Sequence, residues 1–197
     1  TNAEAGDCTP ANYEDTESPD GNPFTWPATP ARYVRHWSGR GQNTGIHFME
    51  MDVYGYVGST QTDELNVVNL DQLPGVTVVG GPGVNDRGNP ESFIDMSHQP
   101  GEWTTSPTAG FETCANNAYL TVDLGAVYDT TGVTIWHYYG NDRAYCNQKL
   151  AISTTGRFAG EERVIFDTGA CRGWCQFPLD PNTCTGDCTP ANYEDTE

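Results

Sequence analysis

The residue types that could do chemistry are present, but their spacing forms no catalytic pattern. The four histidines His36, His47, His98 and His137 are scattered and include no HExxH pair. No nucleophile elbow, phosphate-binding loop or Gly-rich dinucleotide fingerprint occurs. Glu50 and Asp52 stand two positions apart, which on a strand puts both carboxylates on one face. Paired acids of this kind can serve acid–base chemistry, but a strand end facing solvent is the plainer expectation. The chain is therefore expected to be non-catalytic.

The cysteines are the remaining reactive groups. There are seven: Cys8, Cys114, Cys146, Cys171, Cys175, Cys184 and Cys188. Cys171/Cys175 and Cys184/Cys188 are C-x3-C pairs, a spacing that structural zinc tolerates. The composition argues for disulfides instead. It is acidic, rich in Gly, Thr and Asn, and has Lys149 as its sole lysine, which reads as extracellular, where thiols oxidise.

An internal repeat accounts for the odd cysteine. GDCTPANYEDTE occupies residues 6–17 and again residues 186–197, an offset of 180. Cys8 and Cys188 are thus equivalent, and one period holds six cysteines. Cys114 with Cys146 is the preferred long-range bridge. Cys171, Cys175, Cys184 and Cys188 would pair among themselves, leaving Cys8 free or bonded to a neighbouring unit. Upstream the match fails: TNAEA faces PNTCT, so neighbouring repeats are expected to be similar rather than identical. A duplicated cloning segment or a deliberate circular permutation would leave the same pattern. The reading preferred here is a little over one period of a secreted tandem repeat, cut out of phase with the domain it encodes.

At 197 residues the chain has room for one domain with a proper core. It carries 27 acidic against 9 basic side chains, a formal charge of −18. Such a surface repels nucleic acid and anionic membranes, so neither is an expected partner. Acidic charge also keeps a long polymer soluble. No apolar run reaches the roughly 18 residues that span a bilayer, so no membrane insertion is expected. Thr1 opens no leader-like segment, and the chain is expected to be mature or internal.

The positioning elements read as strands. Residues 1–30, with Pro10, Pro19, Pro23, Pro27 and Pro30, predict an extended loop. Short β-branched and aromatic runs predict strands at 31–40, 46–55, 65–70, 76–80, 119–124, 133–139, 149–153 and 163–167. Residues 81–107 predict a loop. With no helical periodicity, the expectation is an all-β, eight-stranded antiparallel β-sandwich.

Within these strands, AYLTVDLGAVYDTTGVTIWHYYGNDRAYCNQKLAIST (118–154) resembles the core of discoidin-like, or coagulation-factor type C, domains. TPARYVRHWSGRG and NTGIHFMEMDVYG are similar to that family's closing strands. The resemblance covers about 130 residues and implies a jelly-roll sandwich of the galactose-binding-like kind. The family places the VDLG block before the ARYVR block, and here the order is reversed. Residues 1–57 would then be the C-terminal part of one sandwich, 58–64 a connector, and 65–197 the N-terminal part of another, ending in the repeat of 6–17. The two parts could fold on each other within one chain, or complete domains in adjacent units. The second arrangement is expected.

The resemblance further implies a structural Ca²⁺ near Asp95, with Glu50 as the anchoring carboxylate. The acidic, Gly-containing loop of the family is replaced here by Asp95-Met-Ser-His-Gln-Pro. It also implies sugar binding, with Trp103, His137, Arg143, Asn147 and Trp174 as candidates. Trp136, Tyr138 and Tyr139 are expected to pack within or beside a strand, and Trp174 to cover a disulfide. Two functions follow. One is a structural or adhesive module of an extracellular or cell-surface fibre, whose partners are neighbouring copies of the repeat. The other is a carbohydrate-binding module acting through avidity on glycans.

Overall fold

A computed structural model of the chain describes residues 21–38, 46–58, 67–81, 85–86, 93–95, 111–113, 118–137 and 148–167. These residues form nine strands rather than the eight expected, and every strand pair is antiparallel. There is no α-helix among them, only a 3-10 turn at 93–94. The described residues are mostly antiparallel β-sheet, the all-β character that the sequence predicts.

Two long strands organise the sheet. β1 (Asn22–Ser38) and β7 (Ala118–His137) run side by side over most of their length. Both bend at the same place. β1 shifts register between Thr25 and Thr29 and again between Ala31 and Tyr33. Gly125 of β7 adopts a φ of 77°, a left-handed conformation that glycine reaches without a Cβ penalty. Bulges of this kind bend a strand and increase its twist. Each strand therefore contributes to two limbs.

In one limb the order is β4 (Thr77–Gly80), the first part of β7, the second part of β1, β8 (Lys149–Ser153) and β9 (Arg163–Asp167). In the other, the second part of β7 lies between the first part of β1 and β2 (Ile46–Tyr56). Beyond β2 come β6 (Phe111–Thr113) and β5 (Asn85–Asp86), and β3 (Val68–Asn69) pairs with the end of β2.

Period-two alternation decides what is buried. Val34, His36 and Ser38 of β1 point inward with Val122, Leu120 and Ala118 opposite them on β7, and Leu150 and Ile152 on β8. On the other limb Met51 and Val53 face inward opposite Ile135 and Val133. All of these apolar residues belong to one core cluster, which also takes in Phe48, Leu70 and Phe93. Its edge-on ring contacts join the limbs: His36 lies 5.6 Å from Phe48, which lies 6.4 Å from Phe93.

Residues 22–30 are a correction to the sequence reading, which has them as loop. They form strand although the segment contains Pro23, Pro27 and Pro30. Proline lacks an N–H and is admitted at sheet edges and bulges. Among the described residues, this part of β1 pairs with β7 alone, and β8 joins β1 only from Tyr33 onward. Pro27 sits inside the register shift. The run at 119–124 and residues 133–137 of the later run are likewise one strand, β7. Within this single chain, β1 and β2 pair with β7, and β1 also pairs with β8.

Candidate functional site

The outward face of the β4–β7–β1–β8–β9 limb carries a cluster the sequence reading did not single out. Tyr33, Arg35 and Trp37 project from alternate positions of β1, opposite Asp123, Thr121 and Tyr119 of β7. The Arg35 guanidinium lies 4.1 Å from the ring centroid of Tyr119, 3.9 Å from that of Phe158 and 5.4 Å from that of Trp37. Its Nε–H donates to Thr121 Oγ1 at 2.7 Å. Lys149 stands 4.9 Å over the Trp37 ring, and Arg32 stands 5.0 Å over Tyr33. Cations over ring faces are attracted by the aromatic quadrupole, more strongly where water is partly excluded. Burial lowers the Arg35 pKa, opposed by the Tyr119, Glu161 and Glu162 charges, and the guanidinium stays cationic.

Two other cations of this face, Arg32 and Lys149, are committed. Arg32 forks onto Asp123, Nε to Oδ1 at 2.7 Å and Nη2 to Oδ2 at 2.9 Å. This bond lowers the Asp123 pKa. Lys149 meets Glu162 at 3.3 Å. Arg35 has Thr121 as its only hydrogen-bond partner among the described residues.

The β8–β9 loop holds Phe158 over Arg35. Glu161 ties it together: its Oε1 accepts from the Ser153 hydroxyl at 2.8 Å, the Thr155 hydroxyl at 2.7 Å and the Phe158 N–H at 3.0 Å. Its Oε2 accepts from the Ala159 N–H at 2.9 Å. The Ala159 N–H and the two hydroxyls hold its pKa far below the ordinary carboxylate range. Phe158 has φ 49°, the sole positive φ outside glycine among the described residues. A bulky residue there is a conformational outlier that persists only when its surroundings over-determine it.

The acids singled out from sequence are placed differently. Glu50 and Asp52 do share a face of β2, opposite Trp136 and Thr134. They do not face solvent, however: each is 2 % exposed. The Tyr54 hydroxyl donates to Asp52 at 2.9 Å, and burial pushes the Tyr54 pKa up to about 12. Nearby, Asp71 accepts from the Val53 N–H and from Gln72 Nε2, both at 2.6 Å. Burial raises its pKa to about 6.

Asp95 is exposed, directly after the 93–94 turn, while Glu50 is enclosed. Among the described residues no three of His, Cys, Asp and Glu gather as metal ligands. The remaining residues of the implied Ca²⁺ segment, 96–100, lie outside the described residues.

Of the sugar-binding candidates, His137 is fully buried against His36 and Phe48 and is not a surface ligand group. Trp103, Arg143, Asn147 and Trp174 lie outside the described residues, as do all seven cysteines. Trp136 is buried on β7, as its strand position implies. The signal that marks the Arg35 face is the Tyr-x-Arg-x-Trp alternation in ARYVRHWS. It puts three side chains of one recognition type on the same side of a strand.

Comparison with family models, curated proteins and solved structures finds no match for the chain.

Proposed function

We propose that the chain is a non-catalytic extracellular tandem-repeat module, a structural or adhesive subunit of a surface fibre, folded as a disulfide-stapled β-sandwich akin to discoidin-like domains. The observation that carries this reading is where the repeat falls relative to β1. The first copy of the repeated segment ends at Glu17, and β1 opens at Asn22. β1 is an interior strand, lying between β7 and β8. In a repeating chain, every copy of the segment would therefore be followed by a strand that completes a sheet, in its own repeat or in the one before. The common core of the two limbs supports the sandwich. The VDLG run, placed in β7 at the bend, supports the kinship. A charge of −18 keeps a long polymer of such modules dispersed.

The test is a protein of several periods, imaged by electron microscopy and sized by sedimentation under non-reducing conditions. Long assemblies that resist denaturant until reduced are expected. Monomers alone, at all concentrations, would overturn the reading.

A further inference from the structure

We infer that the Arg35 face is the docking site for the acidic repeated segment, residues 6–17 or 186–197, of a neighbouring copy of this chain. The inference rests on the tandem-repeat reading and names the contact by which copies meet.

Charge selects the partner. The segment GDCTPANYEDTE holds Asp7, Glu14, Asp15 and Glu17, with no lysine or arginine, and one ring, Tyr13. Two copies of a chain at −18 repel one another over most of their surface. Five of the nine basic residues, Arg32, Arg35, Lys149, Arg157 and Arg163, belong to β1, β8, β9 or the β8–β9 loop. The same elements carry three acids, Glu161, Glu162 and Asp167, so cations outnumber acids there while acids dominate the chain as a whole, and an acidic segment meets less repulsion.

Geometry selects the spot. Arg32 and Lys149 already have carboxylate partners. Arg35 lies within about 4 Å of both the Tyr119 and Phe158 ring centroids, with Trp37 beside it and its Nε–H occupied by Thr121. The fixed guanidinium plane is the group that receives a carboxylate in two parallel hydrogen bonds, with little side-chain entropy left to lose. The half-buried ring of Trp37 gives an apolar flank where an aromatic such as Tyr13 can pack. The Glu161-tied loop holds Phe158 in a strained conformation, so one wall of the site is built before any partner arrives.

The test measures self-association of the full 197-residue chain by sedimentation equilibrium. Three proteins are compared: the wild type; Arg35→Lys; and a chain whose segments are neutralised by Asp7→Asn, Glu14→Gln, Asp15→Asn, Glu17→Gln, Asp187→Asn, Glu194→Gln, Asp195→Asn and Glu197→Gln. Reversible association is expected for the wild type at low salt, weakening as salt rises. Arg35→Lys keeps the charge but loses the fork, and association should fall about tenfold. Neutralising the segments should do the same. Thermal melts of Arg35→Lys separate a lost contact from a lost fold, and the neutralised chain leaves the face untouched.

Mixing the two variants supplies one intact face and one intact segment on different molecules, so partial recovery is expected. No recovery on mixing would place the contact within one chain and overturn the inference. A wild type that stays monomeric, or association indifferent to both sets of changes, would also overturn it. So would Arg35-dependent binding of a galacturonate oligosaccharide by a chain whose self-association ignores Arg35, which would assign the face to an acidic glycan. Fibres that form without Arg35 dependence would sink this contact and leave the tandem-repeat reading standing. Arg35-dependent pairing without fibres would do the reverse.

Discussion

The imidazole rings of His36 and His137 meet where the two limbs join, with centroids 5.0 Å apart and planes inclined at 61°. Each belongs to one of the two long strands that run through both limbs. Across the limb junction His36 also meets Phe48 of β2, and its Nε2 lies 3.2 Å from Gln148 Oε1. Burial drives the His36 pKa down to about 4, with the Gln148 bond opposing the shift.

This sets an acid-labile point. A depressed histidine pKa means the unfolded chain binds the proton first. The contribution to stability is complete above the unfolded pKa of about 6.5 and is lost as pH falls toward 4. The expected loss is on the order of 2–3 kcal/mol. His36→Phe keeps a ring against Phe48 but cannot titrate. Urea midpoints should show a lower stability at neutral pH, because Gln148 loses a partner, together with a reduced fall between pH 6.5 and 4. An unchanged slope would refute the assignment.

Asp71 works in the opposite sense over the same interval. Its folded pKa is raised to about 6 by burial, so the folded state holds the proton more tightly than the unfolded chain. Its contribution is best at low pH and worsens as pH rises from about 4 to 6. Asp71→Asn keeps an oxygen for the Val53 N–H and removes the buried charge, while its amide N–H meets the donating Gln72 Nε2 in place of Oδ2. The variant should lose acid-range stabilisation and gain, relative to wild type, above pH 6. Combined with His36→Phe, the two slope changes should add, since they act through separate groups.

Gly55 of β2 is sterically required. A Cβ there would stand 2.5 Å from the Asp129 carbonyl oxygen and 2.6 Å from Leu70 Cδ1. Asp129 lies in the β7 backbone paired with β2, and Leu70 is anchored by its N–H donating to Val53 O at 2.6 Å. Neither yields easily. Gly55→Ala should cost about 1–3 kcal/mol in chemical denaturation, or prevent folding.

Glu161→Gln tests the loop. The amide retains one acceptor oxygen but presents N–H groups where a second is needed, against the donating Ala159 N–H. Limited proteolysis should cut residues 154–160 faster in the variant, and the wild type should show the same sensitivity only at strongly acidic pH, where Glu161 protonates. Near-UV circular dichroism should report looser packing of Phe158 on Trp37, now 5.4 Å apart.

Much of this was legible in the chain itself. Absent helical periodicity and the β-branched runs at 46–55, 76–80, 149–153 and 163–167 mark strands, because alternation and branching report a pleated, half-buried surface. The repeat at an offset of 180 and the acidic charge also need no coordinates. What sequence reasoning misses is whatever depends on a partner strand. Residues 22–30 look like loop because prolines forbid a central strand, and only pairing on one side makes them a permitted edge. Residues 111–113 are too few to announce a strand before β2 and β5 flank them.

The sites divide in the same way. Composition and spacing alone determine that the described part is all-β, that the chain is acidic and that one twelve-residue segment occurs twice, since these follow from local propensity and counting. Only the tertiary structure decides that Glu50 and Asp52 are buried, that His137 is enclosed, and that Arg35 meets Tyr119 and Phe158. Arg35 is separated from both rings by more than eighty residues of chain. Burial and stacking at that separation are set by which strands become neighbours, and strand order is a property of the whole sheet.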